Sequence, residues 1–294
     1  MLTTLVGVFS SVSVTQSLAS GHGGHGASQT QSSKVQADID AFQDYFKKRF
    51  ADLELDDFSK GPYAMSEDKM LQFEAAMDMP PFEDHLDKGE KLWKTPFKNG
   101  KTYSSCFSGP DEGIRTQFPK WNAAKAKVDT LEQAIVDCRV KNGEKKIGTG
   151  KGKLAWMSAY LTTLAEGQTI NVIVPEGDAK ALAAYEDGKK FFYAKRGQLN
   201  LSCANCHIDN AGMRIRGDTL SPALGHITHF PVWRGKWARK KGDGFGTIQR
   251  RYGGCNKQVR AKPFKRHKSE YDNLEFFHTV MSNGMKISGT EYRQ

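Results

Sequence analysis

Hydrophobic positions along this chain recur at helical spacing far more often than they alternate. Over residues 35–55, Ile39, Phe42, Phe46 and Phe50 come every three or four positions, which predicts an amphipathic helix with an aromatic stripe turned to a core. A proline- and acid-rich connector with Pro80, Pro81 and Phe82 is expected next. Further helical stretches are expected at Gly89-Glu-Lys-Leu-Trp93, before Cys138, over residues 154–165, at Gly188-Lys-Lys-Phe-Phe192 and over residues 274–280. Thr130-Leu-Glu-Gln133 has the form of a capping box opening the helix that carries Cys138. Residues 142–153 form a basic loop, and residues 171–177 read as a connector between halves. With 38% hydrophobic residues and 29 glycines, the composition suits loop-rich helical domains.

The helices fall into two similar series. In each, a glycine-aromatic helix leads to a cysteine site, a long irregular loop, a second cysteine and a closing helix. The cysteine pairs are Cys106 with Cys138, and Cys206 with Cys255. This order predicts an internal duplication of a mainly α unit, with residues 35–170 as one domain and 171–294 as the other. Residues 1–20 are apolar and small and read as a removed export signal without the usual basic start, too short and polar to span a membrane. Residues 21–34, which hold His22 and His25, read as a flexible tail.

The second series holds Cys203-Ala-Asn-Cys206-His207. Two thiols at this spacing can add to the two vinyl groups of a haem, and the next residue offers an imidazole to the iron. No second C-x-x-C accompanies it, which argues against a zinc site, and no βαβ pattern surrounds it, which argues against a thioredoxin-type pair. The fold expected is therefore two cytochrome c-like domains, one haem c bound covalently in the second. In the first, Phe107 stands where the ligand histidine belongs and Tyr103 where the first attachment cysteine belongs. In an exported protein the two thiols left there, Cys106 and Cys138, are expected to pair as a disulfide; two buried free thiols are the alternative.

Charge sharpens the picture. The net charge is +10, yet residues 203–268 hold fifteen Lys and Arg against three acids. The basic surface thus belongs to the haem region. In a compartment that attaches haem covalently, nucleic acid is absent, so an anionic substrate or partner is expected, against a plain solvated basic face. The second axial ligand is open among His226, His229, Cys255, His267, His278, Met281 and Met285. Cys255 is the odd cysteine. Arg250, Arg251, Lys257, Arg260 and Lys262 surround it in sequence and favour its thiolate, and Gly253 and Gly254 before it would let another group approach closely. A guanidinium such as that of Arg251 suits sulfonate-type oxygens.

Leu199-Asn-Leu-Ser-Cys-Ala-Asn-Cys-His207, Arg214-Ile-Arg-Gly217, Thr228-His-Phe-Pro231, Tyr252-Gly-Gly-Cys-Asn256, Val259-Arg-Ala-Lys-Pro-Phe264 and Met281-Ser-Asn-Gly284 together resemble the SoxA family, the cytochrome subunits of periplasmic thiosulfate-oxidising systems. The set spans most of residues 188–290, with Trp156-Met-Ser-Ala-Tyr160 a looser match in the first half. Lacking a first C-x-x-C-H, the chain resembles the single-haem branch. The resemblance implies His207 and Cys255 as axial iron ligands, Cys255 as the active-site cysteine, found as a persulfide in the family, and Arg251 as a substrate contact. Arg214, Arg216, Arg234 and Lys236 are further candidates for substrate or haem propionates. It also implies a heterodimer with a SoxX-type small cytochrome c, open to a third small subunit, and a SoxYZ-type carrier that receives thiosulfate. A tetrathionate-forming thiosulfate dehydrogenase and a plain His/Met electron carrier are the other readings.

Overall fold

A computed structural model of the chain describes residues 29–215, 217–239 and 244–293; the expected export signal and most of the expected tail lie outside them. The structure is mainly helical. Helix α1 (Ser33–Arg49) buries Val35, Ile39, Phe42 and Phe46, the stripe its spacing predicts. It ends at Phe50, earlier than expected, because the chain turns there into a 3-10 segment, Leu55–Tyr63, capped reciprocally by Glu54 and Asp57. The expected connector is therefore corrected. It contains that turn and helix α2 (Glu67–Asp78), which opens with two acids and buries Phe73 as its one fully covered side chain. A helix that buries so little leaves no apolar period to read.

The first half continues with helix α3 (Glu83–Lys94), strands β1 (Lys120–Asn122) and β2 (Lys127–Asp129), helix α4 (Leu131–Lys141) and helix α5 (Lys153–Leu164). The second half opens with helix α6 (Ala179–Tyr193), started by the Asp178 carboxylate accepting from the Lys180 and Ala181 N–H groups. Strands β3 (Arg214–Ile215), β4 (Asp218–Thr219) and β5 (Val232–Arg234), helix α7 (Gly235–Ala238), strand β6 (Phe245–Gly246), helices α8 (Ile248–Gln258) and α9 (Ser269–Val280) and strand β7 (Tyr292–Arg293) follow. Strand β5 is central, antiparallel to β6 and parallel to β7.

Several local features recur in both halves. Helix α3 crosses α5 at Gly89, where a Cβ would lie 2.3 Å from the Trp156 carbonyl oxygen. Helix α6 crosses α9 at Gly188, where a Cβ would lie 2.0 Å from the Asn273 carbonyl oxygen. Only glycine permits either approach. Thr116-Gln-Phe-Pro-Lys-Trp121 runs into β1 and Thr228-His-Phe-Pro-Val-Trp233 into β5, each tryptophan then paired across a short hairpin, Trp121 with Val128 and Trp233 with Phe245. Helices α4 and α8 are both 11 residues long, both are N-capped by a threonine hydroxyl (Thr130, Thr247), and both carry a cysteine at the eighth residue, Cys138 and Cys255.

Each half has its own core. In the first, Trp93 stacks on Tyr103 at 5.4 Å, and Phe97 and Phe107 close around the pair. The second is built from α6, α9 and the 223–232 segment, with α1 packed onto it. Buried Arg115 ties the halves together, donating from Nη1 to the Phe118 carbonyl at 2.8 Å and from Nη2 to the Ile227 carbonyl at 3.3 Å.

Candidate haem site

Past α6 the chain enters a wide helical turn, Asn205–Asp209, that presents Cys206 and His207. The turn is started by a reciprocal pair: the Ser202 N–H donates to Asn205 Oδ1 at 3.0 Å and the Asn205 N–H to Ser202 Oγ at 3.1 Å. His207 Nδ1–H donates to the Ser221 carbonyl at 2.8 Å, which fixes the tautomer and leaves Nε2 with its lone pair.

Nε2 faces a cavity of about 370 Å³ between α6, α8, the 218–234 segment and the 61–69 segment. Cys203 and Cys206 lie on its wall with both thiols free, and Phe191, Phe192, Leu201, Ile248 and Leu274 make it largely apolar. Cys255 lines it from α8, near enough to the His207 ring for the ring to act on its thiol. These residues fit a covalently held haem. Two thiols are spaced for the vinyl groups, the walls are apolar, and an imidazole and a sulfur on the same cavity could each be offered to the iron.

The electrostatics around Cys255 are unusual. Burial pushes its thiol up, but the Arg251 guanidinium, the neighbouring His207 ring and Arg234 outweigh it and bring the thiol down to about 7. Cys203, buried without such compensation, is pushed up to about 12. Arg234 is itself drawn down to about 10, first by burial and then by the like charge of Arg251. Arg251, Arg234, Lys236 and Lys69 all line the cavity, with Asp218 the acid among them. Such an array suits an anion beside the Cys255 sulfur.

Of the other expected ligands, His226, His229 and His278 also line the cavity but are engaged with other groups, while His267, Met281 and Met285 do not line it. Met281 and Met285 are packed in the core and do not line the cavity. His226 Nε2 is 2.5 Å from Ser221 Oγ, and His229 Nδ1 is 3.0 Å from both the Ser59 carbonyl and Arg293 Nη2. Both rings are held far below the usual histidine range, chiefly by burial. His278 uses both nitrogens, and His267 sits away from the cavity, its N–H on Gln249 Oε1. Arg250 turns to the hairpin, its guanidinium 4.1 Å from the centre of the Trp237 ring. Arg214 is exposed on β3, and Arg216 is outside the described residues. Gly253 and Gly254 sit mid-helix and are not crowded by the chain itself: a Cβ at Gly253 would meet Pro263 at 3.7 Å, and one at Gly254 would meet nothing within 4 Å.

In the first half the two cysteines are covalently joined. Cys106 and Cys138 form a disulfide with their Cα atoms 5.8 Å apart.

Comparison with known proteins gives the family. A relative from Chlorobaculum tepidum, named L-cysteine S-thiosulfotransferase subunit SoxA, is 47% identical over 261 residues, 88% of each chain. One of the same name from Allochromatium vinosum is 44% identical over 255 residues, 86% of this chain and 88% of its own. The chain belongs to the SoxA family. As a member of a cytochrome family it binds haem c covalently. The family model described as SoxA/TsdA, cytochrome c domain, matches residues 88–170, the half without C-x-x-C-H. The crystal structure of SoxXA from P. pantotrophus superposes with a TM-score of 0.64 at 31% identity, over 73% of this chain and 79% of that one.

Sequence reasoning missed three features. The Thr-x-Phe-Pro-x-Trp repeat was visible in the residues and would have strengthened the duplication. The clamp from Arg49 and the buried contacts of His278 had no local signal.

Proposed function

We propose that this chain is the catalytic haem subunit of an L-cysteine S-thiosulfotransferase, joining thiosulfate oxidatively to a carrier cysteine. The observation that carries the reading is the Cys255 sulfur sharing one cavity with His207, Cys203 and Cys206, with Arg251 and Arg234 beside it. His207 and Cys255 would hold the iron, and Cys203 and Cys206 would carry the covalent attachment. Arg251 is the substrate contact, with Arg234 next to it. Bound haem supplies one-electron oxidation. The overall change is carrier-Cys–SH plus S2O3²⁻ giving carrier-Cys–S–S–SO3⁻, one proton and two electrons. Since one haem takes one electron at a time, a second acceptor is required, which supports a SoxX-type partner. The guanidiniums orient the sulfonate oxygens so that the outer sulfur of thiosulfate meets the Cys255 sulfur. A SoxYZ-type carrier then takes the group.

The repeated glycine crossings, tryptophan hairpins and eighth-position cysteines support a duplication, with residues 35–170 as a cytochrome c-like domain without haem and 171–294 as the haem domain. The aromatic stack of Trp93 and Tyr103 fills the space a haem would need. The disulfide and the haem motif support export to a periplasm. Among the described residues no helix is long and apolar enough to cross a membrane.

Electron paramagnetic resonance of the oxidised protein, wild type beside Cys255→Ser, tests the ligand pair. A low-spin thiolate signal lost in the variant is expected; an unchanged spectrum refutes the assignment. Arg251→Ala should cut carrier-coupled turnover about 100-fold with the haem spectrum intact. Thiosulfate oxidation that runs at full rate without carrier would instead indicate tetrathionate formation.

A further inference from the structure

His278, on α9, joins the two elements that carry the iron ligands. Its Nε2–H donates to the Ala223 carbonyl at 3.1 Å, and its Nδ1 accepts from the Tyr252 hydroxyl at 3.1 Å. The Ala223 N–H in turn donates to the His207 carbonyl at 2.9 Å. Two residues earlier, the Ser221 carbonyl takes the His207 ring N–H. The 221–223 segment therefore holds His207 by both backbone and ring. On the other side, Tyr252 precedes Cys255 by three residues on α8, so the two lie on neighbouring faces of one turn, and both line the cavity. Ala223, Tyr252 and His278 are all buried, which removes water as a substitute partner. Burial holds the His278 ring neutral, so it has one donor and one acceptor nitrogen, the number its two neighbours require.

We propose that His278 is a positioning residue that sets the spacing between the His207 segment and the Cys255 helix, and so the strength of the two axial bonds. This rests on His207 and Cys255 being the axial pair. The other two cavity histidines do not bridge these elements in this way: the His226 ring is beside Ser221 in its own segment, and His229 reaches toward residue 59 and Arg293. The ring is also a rigid spacer. Its two nitrogens point in fixed opposed directions, so the separation of α8 from the Ala223 carbonyl cannot drift without breaking a buried bond.

The test uses the full chain with haem attached, together with its partner cytochrome. His278→Leu, His278→Gln and Tyr252→Phe are compared by electron paramagnetic resonance of the oxidised state, with covalent haem confirmed by mass. His278→Leu is expected to lose most of the homogeneous low-spin signal to altered g-values or high-spin iron while keeping its haem. Tyr252→Phe, which removes one hydroxyl and preserves the ring, should move the g-values in the same direction by less. His278→Gln, which offers a donor and an acceptor, should restore much of the wild-type signal. A merely structural role would lower Tm and leave the g-values of the folded protein unmoved, and that result overturns the proposal. If His278→Leu does not fold, Tyr252→Phe decides alone: an unchanged spectrum overturns the proposal and a shifted one supports it. Failure of the axial reading is distinguished by Cys255→Ser, whose spectrum would then match wild type whatever the His278 variants do.

Discussion

Two carboxylic acids lie behind α8, away from the haem cavity. Gln249 Nε2 donates to Asp272 Oδ1 at 2.9 Å and to Glu275 Oε2 at 3.0 Å. Burial pushes Asp272 up to about 6, against the Gln249 hydrogen bond and Lys127; Glu275 is pushed well above its ordinary range by burial, Glu132 and Asp272. Both bind a proton more tightly folded than unfolded. Their contribution to stability is full below the ordinary carboxylate range and falls as pH rises through about 6 and beyond. Asp272→Asn keeps the acceptor oxygen without the charge. It should match wild type at about pH 4 and exceed it by on the order of 2–3 kcal/mol at about pH 8, read from thermal unfolding across that range. The haem region depends on this contact, because Gln249 sits in the first turn of the helix that carries Cys255.

At the scale of elements, α1 comes early in the chain, yet it packs on the core of the second half and reaches the haem turn. Arg49 Nη1 donates to the Ile208 carbonyl at 2.6 Å, and Nη2 to the Asp209 and Ala211 carbonyls at 3.0 Å each. One guanidinium thus satisfies the carbonyls that end the His207 turn and puts a positive charge beside them. Arg49→Gln should lower the haem midpoint potential, because a nearby cation favours the reduced iron, and cost about 1 kcal/mol in stability. Arg49→Lys, which keeps charge but not the fork, should restore part of the potential; redox titration reads both. The disulfide does comparable work in the first half. It closes a loop across a separation of 32 residues, so Cys106→Ser with Cys138→Ser should cost about 3–4 kcal/mol in thermal unfolding while the haem spectrum stays as it was.

Over the whole molecule, what could be read from the residues follows from how local each signal is. The C-x-x-C-H run, the aromatic stripe of α1 and the threonine cap of α4 are encoded within a few positions, and the structure has each where spacing puts it. Helix α2 was read as connector because it covers only Phe73, which stacks on Tyr63 from the preceding turn. The axial choice stayed open among seven residues because ligand geometry is a property of distant elements. Only packing shows that Met281 and Met285 are core and that His226, His229 and His278 are engaged with carbonyls and hydroxyls. The basic excess of residues 203–268 was legible as a sum, but its focus on Arg251 and Arg234 beside one sulfur is a three-dimensional fact.

Strand β7 brings Arg293 against the cavity wall, where its guanidinium donates to the Ser59 and Lys60 carbonyls and lies 5.1 Å from the centre of the Tyr63 ring. Tyr63 and Arg293 are thus neighbours in space and remote in sequence, and both line the haem cavity. One guanidinium thus ties the turn that leads into Tyr63 to a strand paired with β5, so the cavity wall is braced from outside the stretch that carries C-x-x-C-H.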